Sequence, residues 1–265
     1  MLTTTIDLDA IAHNTRRLRE QTTAELMCVV KADAYNHGVE RCVPVMEANG
    51  ADAFGVATFA EARRVRELTA KPVLAWLWDP HEELPAGVDV GVPSFTHLHS
   101  LIDAPTAPTV YLKVDTGMHR SGIDEVRWQE AFELALDAQR KGKLEVAGLM
   151  THFSCADDPS DPYTDQQAAA FRRAIAQARQ VGLEVPRNHA ANSPATWTRP
   201  DLHFDMVRPG VSLYGLEPVD GLDHGLKPAM TWSAPVVTVK PMRAGEATSY
   251  ARTWEAVSYT HLTLP

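Results

Sequence analysis

VVKADAYNHG, residues 29–38, sets a lysine directly after an apolar run. The run Leu26–Val30 has the length and composition of a fully buried strand. If it belongs to an α/β barrel, its carboxyl end faces the functional cavity. A lysine at that place is partly desolvated, which lowers its pKa and makes its amine a nucleophile able to condense with an aldehyde. Taken alone, a strand-end lysine that simply reaches solvent is the commoner case.

Outward from this segment, further strand-like runs follow at Ala53–Val56, Pro72–Ala75, Val88–Val92, Thr109–Val114, Val146–Met150, Val185–His189 and Phe204–Val207. Amphipathic stretches lie between most of them, at Ala60–Leu68, Glu125–Arg140 and Thr164–Val181. Strands alternating with helices imply a parallel sheet, and about eight such units favour a closed (β/α)8 TIM-type barrel over an open sheet. After Tyr214 the texture changes. GLEPVDGLDHGLKP, residues 215–228, reads as a linker. Met230–Val239 and Ala247–Trp254 then read as strands, the incomplete start of a β-domain with too few strands to stand alone. The expected division is a barrel over 1–224, a partial β-domain over 225–256 and a foreign-looking tail over 257–265.

The chain has 265 residues, enough for a substantial core. Acidic residues outnumber basic ones, 34 to 25, which argues against nucleic acid as a partner. No apolar stretch is long enough to span a membrane. The start, MLTTTIDLDAIAHN, lacks the basic and apolar regions of a signal peptide, so the cytoplasm is expected. Cys28, Cys42 and Cys155 are odd in number and widely spaced, giving neither a disulfide framework nor a zinc pattern, and no metal is expected.

Four more segments place chemistry-bearing residues at strand ends. YLKVDTGMHRSG, residues 111–122, brings Lys113, Asp115, His119 and Arg120, and Arg120 can donate to an anionic oxygen such as a phenolate. GLMTHFSCAD, residues 148–157, contributes His152 as a base, a ligand or a ring-stacking partner. NHAANSPAT, residues 188–196, offers Asn192, Ser193 and Thr196 before a helix, where a hydroxyl and backbone amides make an anion site. MVRPGVSLYG, residues 206–215, ends a strand on Arg208, and Gly210 allows close backbone approach. Each segment alone is more often a solvated loop, a structural histidine, an N-cap or a plain turn. Together they put Lys, Arg, His, Ser and Gly on one barrel face, and a phosphorylated aldehyde cofactor explains them jointly.

The five segments, in this order, resemble the alanine racemase family over about residues 5–255. The resemblance implies a pyridoxal 5'-phosphate (PLP) barrel followed by a β-domain, a head-to-tail homodimer, and interconversion of L- and D-alanine that supplies D-alanine for peptidoglycan. By motif, Lys31 takes the cofactor aldehyde and acts as base on one face of the substrate. Tyr35, Ser193, Gly210 and Val211 meet the phosphate. Arg208 faces the pyridine nitrogen and keeps it unprotonated. His152 lies by the ring and supports Arg208. Arg120 meets the phenolic oxygen, and Lys113 matches a lysine often carbamylated to orient that arginine. Asn192 belongs to the same pocket. The catalytic set so implied is Lys31, Arg120, His152 and Arg208.

The family pattern holds through GEATSYARTW, residues 245–254, and AVSYTHLTLP follows. The family's second catalytic base is the tyrosine of a Gly-Tyr-Ala-Asp-Gly segment donated by the partner subunit, and that segment does not occur here. Tyr250 and Tyr259 lack its flanking residues. The expectation is therefore a racemase whose activity as this chain is impaired. Two other readings stand beside it: a PLP-binding barrel without racemase activity, and a non-functional fragment with unpaired edges at Met230, Trp232, Val236 and Val239. A related racemase for serine or another small amino acid also fits the motifs.

Overall fold

In the computed structural model, residues 1–257 and the backbone of 260–264 are described. Of the expected foreign tail at 257–265, Ser258, Tyr259 and Pro265 fall outside these residues, and of 260–264 only the backbone is described. Two units are distinct: Asp7–Ala229, and a second composed of Met1–Ile6 with the residues from Met230 onward.

The chain opens with β1 (Thr3–Ile6) and helix α1 (Leu8–Gln21). Asp7 caps α1, its carboxylate accepting from Asp9 N at 2.9 Å and Ala10 N at 3.0 Å. The barrel strands are β2 (Glu25–Val29), β3 (Ala53–Val56), β4 (Val73–Ala75), β5 (Asp89–Val92), β6 (Thr109–Lys113), β7 (Glu145–Met150) and β8 (Met206–Val207). Helices α2 (Val39–Ala48), α3 (Phe59–Arg66), α4 (Phe95–Ile102), α5 (Trp128–Arg140), α6 (Tyr163–Val181) and the short α7 (Ser193–Thr198) run between them. The sheet is parallel, in the order β7-β6-β5-β4-β3-β2-β8.

Alternation along the strands divides the core into two. Met27, Ala53, Leu74, Tyr111, Ala147, Met150 and Met206 form one cluster, with Trp76 against it. Their strand neighbours Cys28, Phe54, Val73, Ala75, Val110 and Leu112 pack with the apolar faces of the helices, such as Ile11 and Leu18 of α1. The strand tips therefore converge around a filled barrel axis, as in a TIM-type barrel.

One expected strand is absent. Val185–His189 forms only isolated bridges, His189 to Met150 and to Met206, and these close the ring between β7 and β8. Arg187 N and His189 N still donate to the Ala147 and Leu149 carbonyls of β7, each at 3.0 Å, and side chains supply the other bonds. Leu149 N donates to Asn188 Oδ1 at 3.0 Å, and Asn188 N donates to Asp205 Oδ2 at 2.7 Å. Pro186 has no N–H to give. Gly148 lets the segment approach, since a Cβ there would sit 1.9 Å from the Arg187 carbonyl oxygen.

The linker expected at 215–228 is pinned rather than loose. Asn14 donates to the Lys227 carbonyl at 2.8 Å and accepts from Lys227 N at 2.8 Å. The His224 ring stacks on Trp197, 4.5 Å between centroids.

In the second unit, β1 pairs antiparallel with β9 (Met230–Ser233), from Thr3 opposite Ser233 to Ile6 opposite Met230. The single strand expected over Met230–Val239 is broken at Pro235, which lacks an N–H, and resumes as β10 (Thr238–Met242). The one expected over Ala247–Trp254 is likewise interrupted. β11 (Ala247–Thr248) and β12 (Trp254–Glu255) pair across a turn in which Ser249, Ala251 and Arg252 have positive φ. Among the described residues no helix is long and apolar enough to cross a membrane, and no group of His, Cys, Asp or Glu has metal-binding geometry.

Candidate active site

The turn after β2 is unusual. Ala32, Asp33, Ala34, Tyr35 and Asn36 all have φ between 51° and 62°, one turn of left-handed helix. Each such non-glycine residue costs about 1–2 kcal/mol, so the turn must be held from outside. Glu61 of α3 accepts from Ala32 N at 2.8 Å. Asp33 accepts from Val39 N at 3.0 Å and pairs with Arg64 at 3.1 Å. The same Glu61 closes the capping box of α3 with Thr58. Lys31 and Tyr35 are thereby held at the two ends of a fixed turn.

Lys31 opens into a cavity of about 240 Å³. This is the scale of a small-ligand site. Lys31, Tyr35, Lys113, Arg120, His152, Asn192, Ser193, Arg208, Gly210 and Val211 all line it. The ten residues implied for the site thus meet at one place, whereas Asp115, His119 and Thr196, also named from the motifs, are not in the lining. Val29, Trp76, Met150 and Pro194 also line it, and the sequence reading did not name them. Trp76 had a usable signal: it directly follows β4, at the end of the barrel that faces the cavity. Its ring has room because Gly55 and Gly91 bear no side chain; a Cβ on Gly55 would lie 2.7 Å from the indole.

One side of the cavity is a cradle of donors. Ser193 Oγ accepts from Gly210 N at 2.8 Å and from Ser212 N at 3.4 Å, leaving the hydroxyl proton free to point outward. A Cβ on Gly210 would stand 2.6 Å from the Tyr35 hydroxyl, so glycine is what lets these two groups converge. Asn192 caps α7 through Ala195 N at 3.3 Å.

The other side carries positive charge. Arg208 is buried, donating to His189 Nδ1 and to the Thr151 carbonyl, each at 2.6 Å. Burial lowers its pKa to about 10. His152 makes no hydrogen bond to Arg208; that contact belongs to His189, a residue the motif reading did not single out. Lys113 donates to Ser121 Oγ at 2.5 Å. Burial first, then Arg120 and Arg208, brings the Lys113 pKa down to about 8. The same burial and the four cations Arg208, Arg120, Lys113 and Lys31 push His152 down to about 3, so it is neutral at physiological pH. Among the described residues the lining contains no aspartate or glutamate. A cavity with four cations and no carboxylate fits an anionic ligand, and the Ser193–Gly210–Tyr35 cradle fits a phosphate. The free amine of Lys31 completes a donor set suited to a phosphorylated aldehyde such as PLP.

Comparison with known proteins agrees. The family model for the alanine racemase N-terminal domain matches residues 6–218. The alanine racemase of Corynebacterium efficiens is 58% identical over 265 residues, covering 97% of this chain and 71% of that protein. The crystal structure of alanine racemase from Corynebacterium glutamicum aligns with a TM-score of 0.86 at 53% identity, over 91% of this chain and 71% of that one. The Bartonella henselae alanine racemase, whose structure has covalently bound pyridoxal phosphate, aligns with a TM-score of 0.81 at 26% identity, over 99% of this chain and 74% of that one. With its barrel, its strand-end cavity and more than half of its residues shared with such a relative, the chain belongs to the alanine racemase family and is an isomerase of that class.

Proposed function

We propose that this chain interconverts L- and D-alanine with PLP held at Lys31. The cavity itself carries the reading: four cations, among them the strand-end amine of Lys31, meet a serine–glycine–tyrosine cradle, with no carboxylate in the lining among the described residues. PLP, when bound, acidifies the α-hydrogen of an amino acid attached to it. The residues of this chain do the rest. Ser193, Gly210, Val211 and Tyr35 bind the phosphate. Arg120 donates toward the phenolic oxygen, and Lys113 beside it is orienting, whether as an amine or carbamylated. Arg208 presents a fixed cation toward the pyridine nitrogen and keeps a proton off it. His152, neutral, packs by the ring, and Asn192 fixes the cradle. Lys31 holds the proton moved at Cα on its own face, where transfer needs hydrogen-bond geometry. We further propose the division into a PLP barrel and a β-domain, a homodimer as the working state, and a cytoplasmic setting in which D-alanine serves peptidoglycan.

The test uses the full chain. Incubation with PLP followed by borohydride should fix the cofactor irreversibly on Lys31, read by peptide mass spectrometry, and Lys31→Ala should lose the adduct completely while remaining folded. Labelling at another lysine overturns the assignment. Incubation with each alanine enantiomer in heavy water then reads α-hydrogen exchange and inversion. Exchange of serine in preference to alanine would move the substrate assignment.

A further inference from the structure

Gln167 lies on α6, outside the cavity lining, and is completely buried. A buried amide is costly unless its donors and acceptor are satisfied. Here they are, and all the partners belong to two loops. Its Oε1 accepts from Ser154 N at 2.9 Å and from Ser154 Oγ at 3.1 Å. Its Nε2 donates to the His152 carbonyl at 3.1 Å and to Thr116 Oγ1 at 3.4 Å. Thr116 in turn shares a 2.8 Å hydroxyl contact with Thr151, whose carbonyl accepts from Arg208. One side chain therefore ties the loop after β7, which bears His152, to the loop after β6, which bears Arg120. It also reaches the carbonyl that Arg208 holds. Arg120 has no hydrogen bond or ion pair of its own among the described residues, so its position depends on its loop.

We infer that Gln167 is a positioning residue that locks the His152 loop and the Arg120 loop into one geometry, so that the cationic side of the cavity is preassembled for its anionic ligand. The inference rests on the reading of this cavity as a PLP site, but its first test does not need the cofactor. Hydrogen exchange on the ligand-free chain compares wild type with Gln167→Leu and Thr116→Val. Loss of the amide should release both loops. Exchange should rise about tenfold at Ser154 and across 116–122, the scale of one or two lost hydrogen bonds. If Ser154 is released and 116–122 is unchanged, Gln167 serves the local packing of α6 and the inference falls.

The second test is PLP affinity, by absorbance titration at a temperature where every variant is folded. Gln167→Leu should weaken binding about tenfold and Thr116→Val by a smaller factor, and the double variant should fall short of their product, as expected for groups in one network. Wild-type affinity in Gln167→Leu, or full additivity, overturns the inference. If Gln167→Leu does not fold, Gln167→Glu and Thr116→Val decide it: wild-type PLP affinity in both is the overturning result. If the wild-type chain forms no PLP adduct, the cavity reading fails, and the loop coupling still stands or falls on exchange alone.

Discussion

The two ends of the barrel treat charge in opposite ways. At the amino ends of the strands, cations meet anions. Arg187 pairs with Glu25, the first residue of β2, and Arg19 pairs with Asp52 just before β3, at 2.7 Å. Asp52 also accepts from Leu26 N at 2.9 Å. At the carboxyl ends, Lys31, Lys113, Arg120 and Arg208 face one cavity whose lining has no carboxylate among the described residues. Unneutralised charge in a buried place costs free energy, and the cost is visible in the lowered pKa values of Lys113 and Arg208. The amino end uses charge to close the structure, whereas the carboxyl end keeps it ready for a ligand.

The sharpest way to break this comparison is a matched pair of substitutions. Arg208→Met at the carboxyl end should weaken PLP binding by about 10- to 100-fold, since a hydrogen bond to a charged group contributes about 1.5–3 kcal/mol. Arg187→Met at the amino end should leave PLP affinity unchanged and lower unfolding free energy by about 1–2 kcal/mol, discounted for the partial exposure of the Arg187–Glu25 pair. Absorbance titration and urea denaturation read the two quantities separately. Equal effects of both substitutions on PLP affinity would end the division of labour between the two ends.

The division was only partly legible in the sequence. Buried parallel strands are continuous apolar runs, so Ala53–Val56 and its fellows could be read as strands without tertiary information. Lys31, Arg120, His152 and Arg208 could be placed on one face because each lies at the end of such a run or in the loop that follows it, and their roles came from resemblance to a family. What resisted reading depends on distant partners. The left-handed turn at 32–36 exists because Glu61 and Asp33 hold it, and nothing local announces that. The segment at 185–189 keeps backbone bonds to β7 but shares the rest of its pairing with the Asn188 and Asp205 side chains, so no regular strand forms. His189 looked like one more histidine until Arg208 was seen to donate to it, and Gln167 looked like any polar helix residue.

A smaller effect sharpens the carboxyl end. Lys113 is held down to about 8 by burial and by its arginine neighbours. Below pH 8 it is charged and attracts an anion; as pH rises through 8 that charge is lost. Affinity for pyridoxamine phosphate, which has no aldehyde to react with Lys31, should fall several-fold between pH 7 and pH 9, in line with about 1 kcal/mol for one partly screened charge at close range. In Lys113→Met the affinity should start lower and stay nearly flat across that interval. A wild-type profile as flat as the variant's would mean that Lys113 does not feel the ligand.

The smallest effect concerns a carboxylate that the amino end does not neutralise well. Asp89, the first residue of β5, is raised to about 6, because burial and then Glu145 outweigh the attraction of Arg187 and Arg66. Its folded pKa lies above that of an unfolded aspartate, so the folded chain holds the proton more tightly between about pH 4 and pH 6. Its contribution to stability is therefore fully present below about pH 4 and is lost as pH rises through 6. Above that, a half-buried carboxylate is a net cost. Asn cannot ionise and nearly keeps the shape, so Asp89→Asn should raise the unfolding free energy at pH 7.5 by about 1 kcal/mol and remove one falling component of the profile between pH 4 and 6. PLP affinity should not change, because Asp89 stands at the far end of the barrel from Lys31. Urea denaturation at a series of pH values is the measurement. If Asp89→Asn destabilises the chain at pH 7.5, its attraction to Arg187 exceeds its burial cost, and the amino end is neutralised more completely than the raised pKa implies.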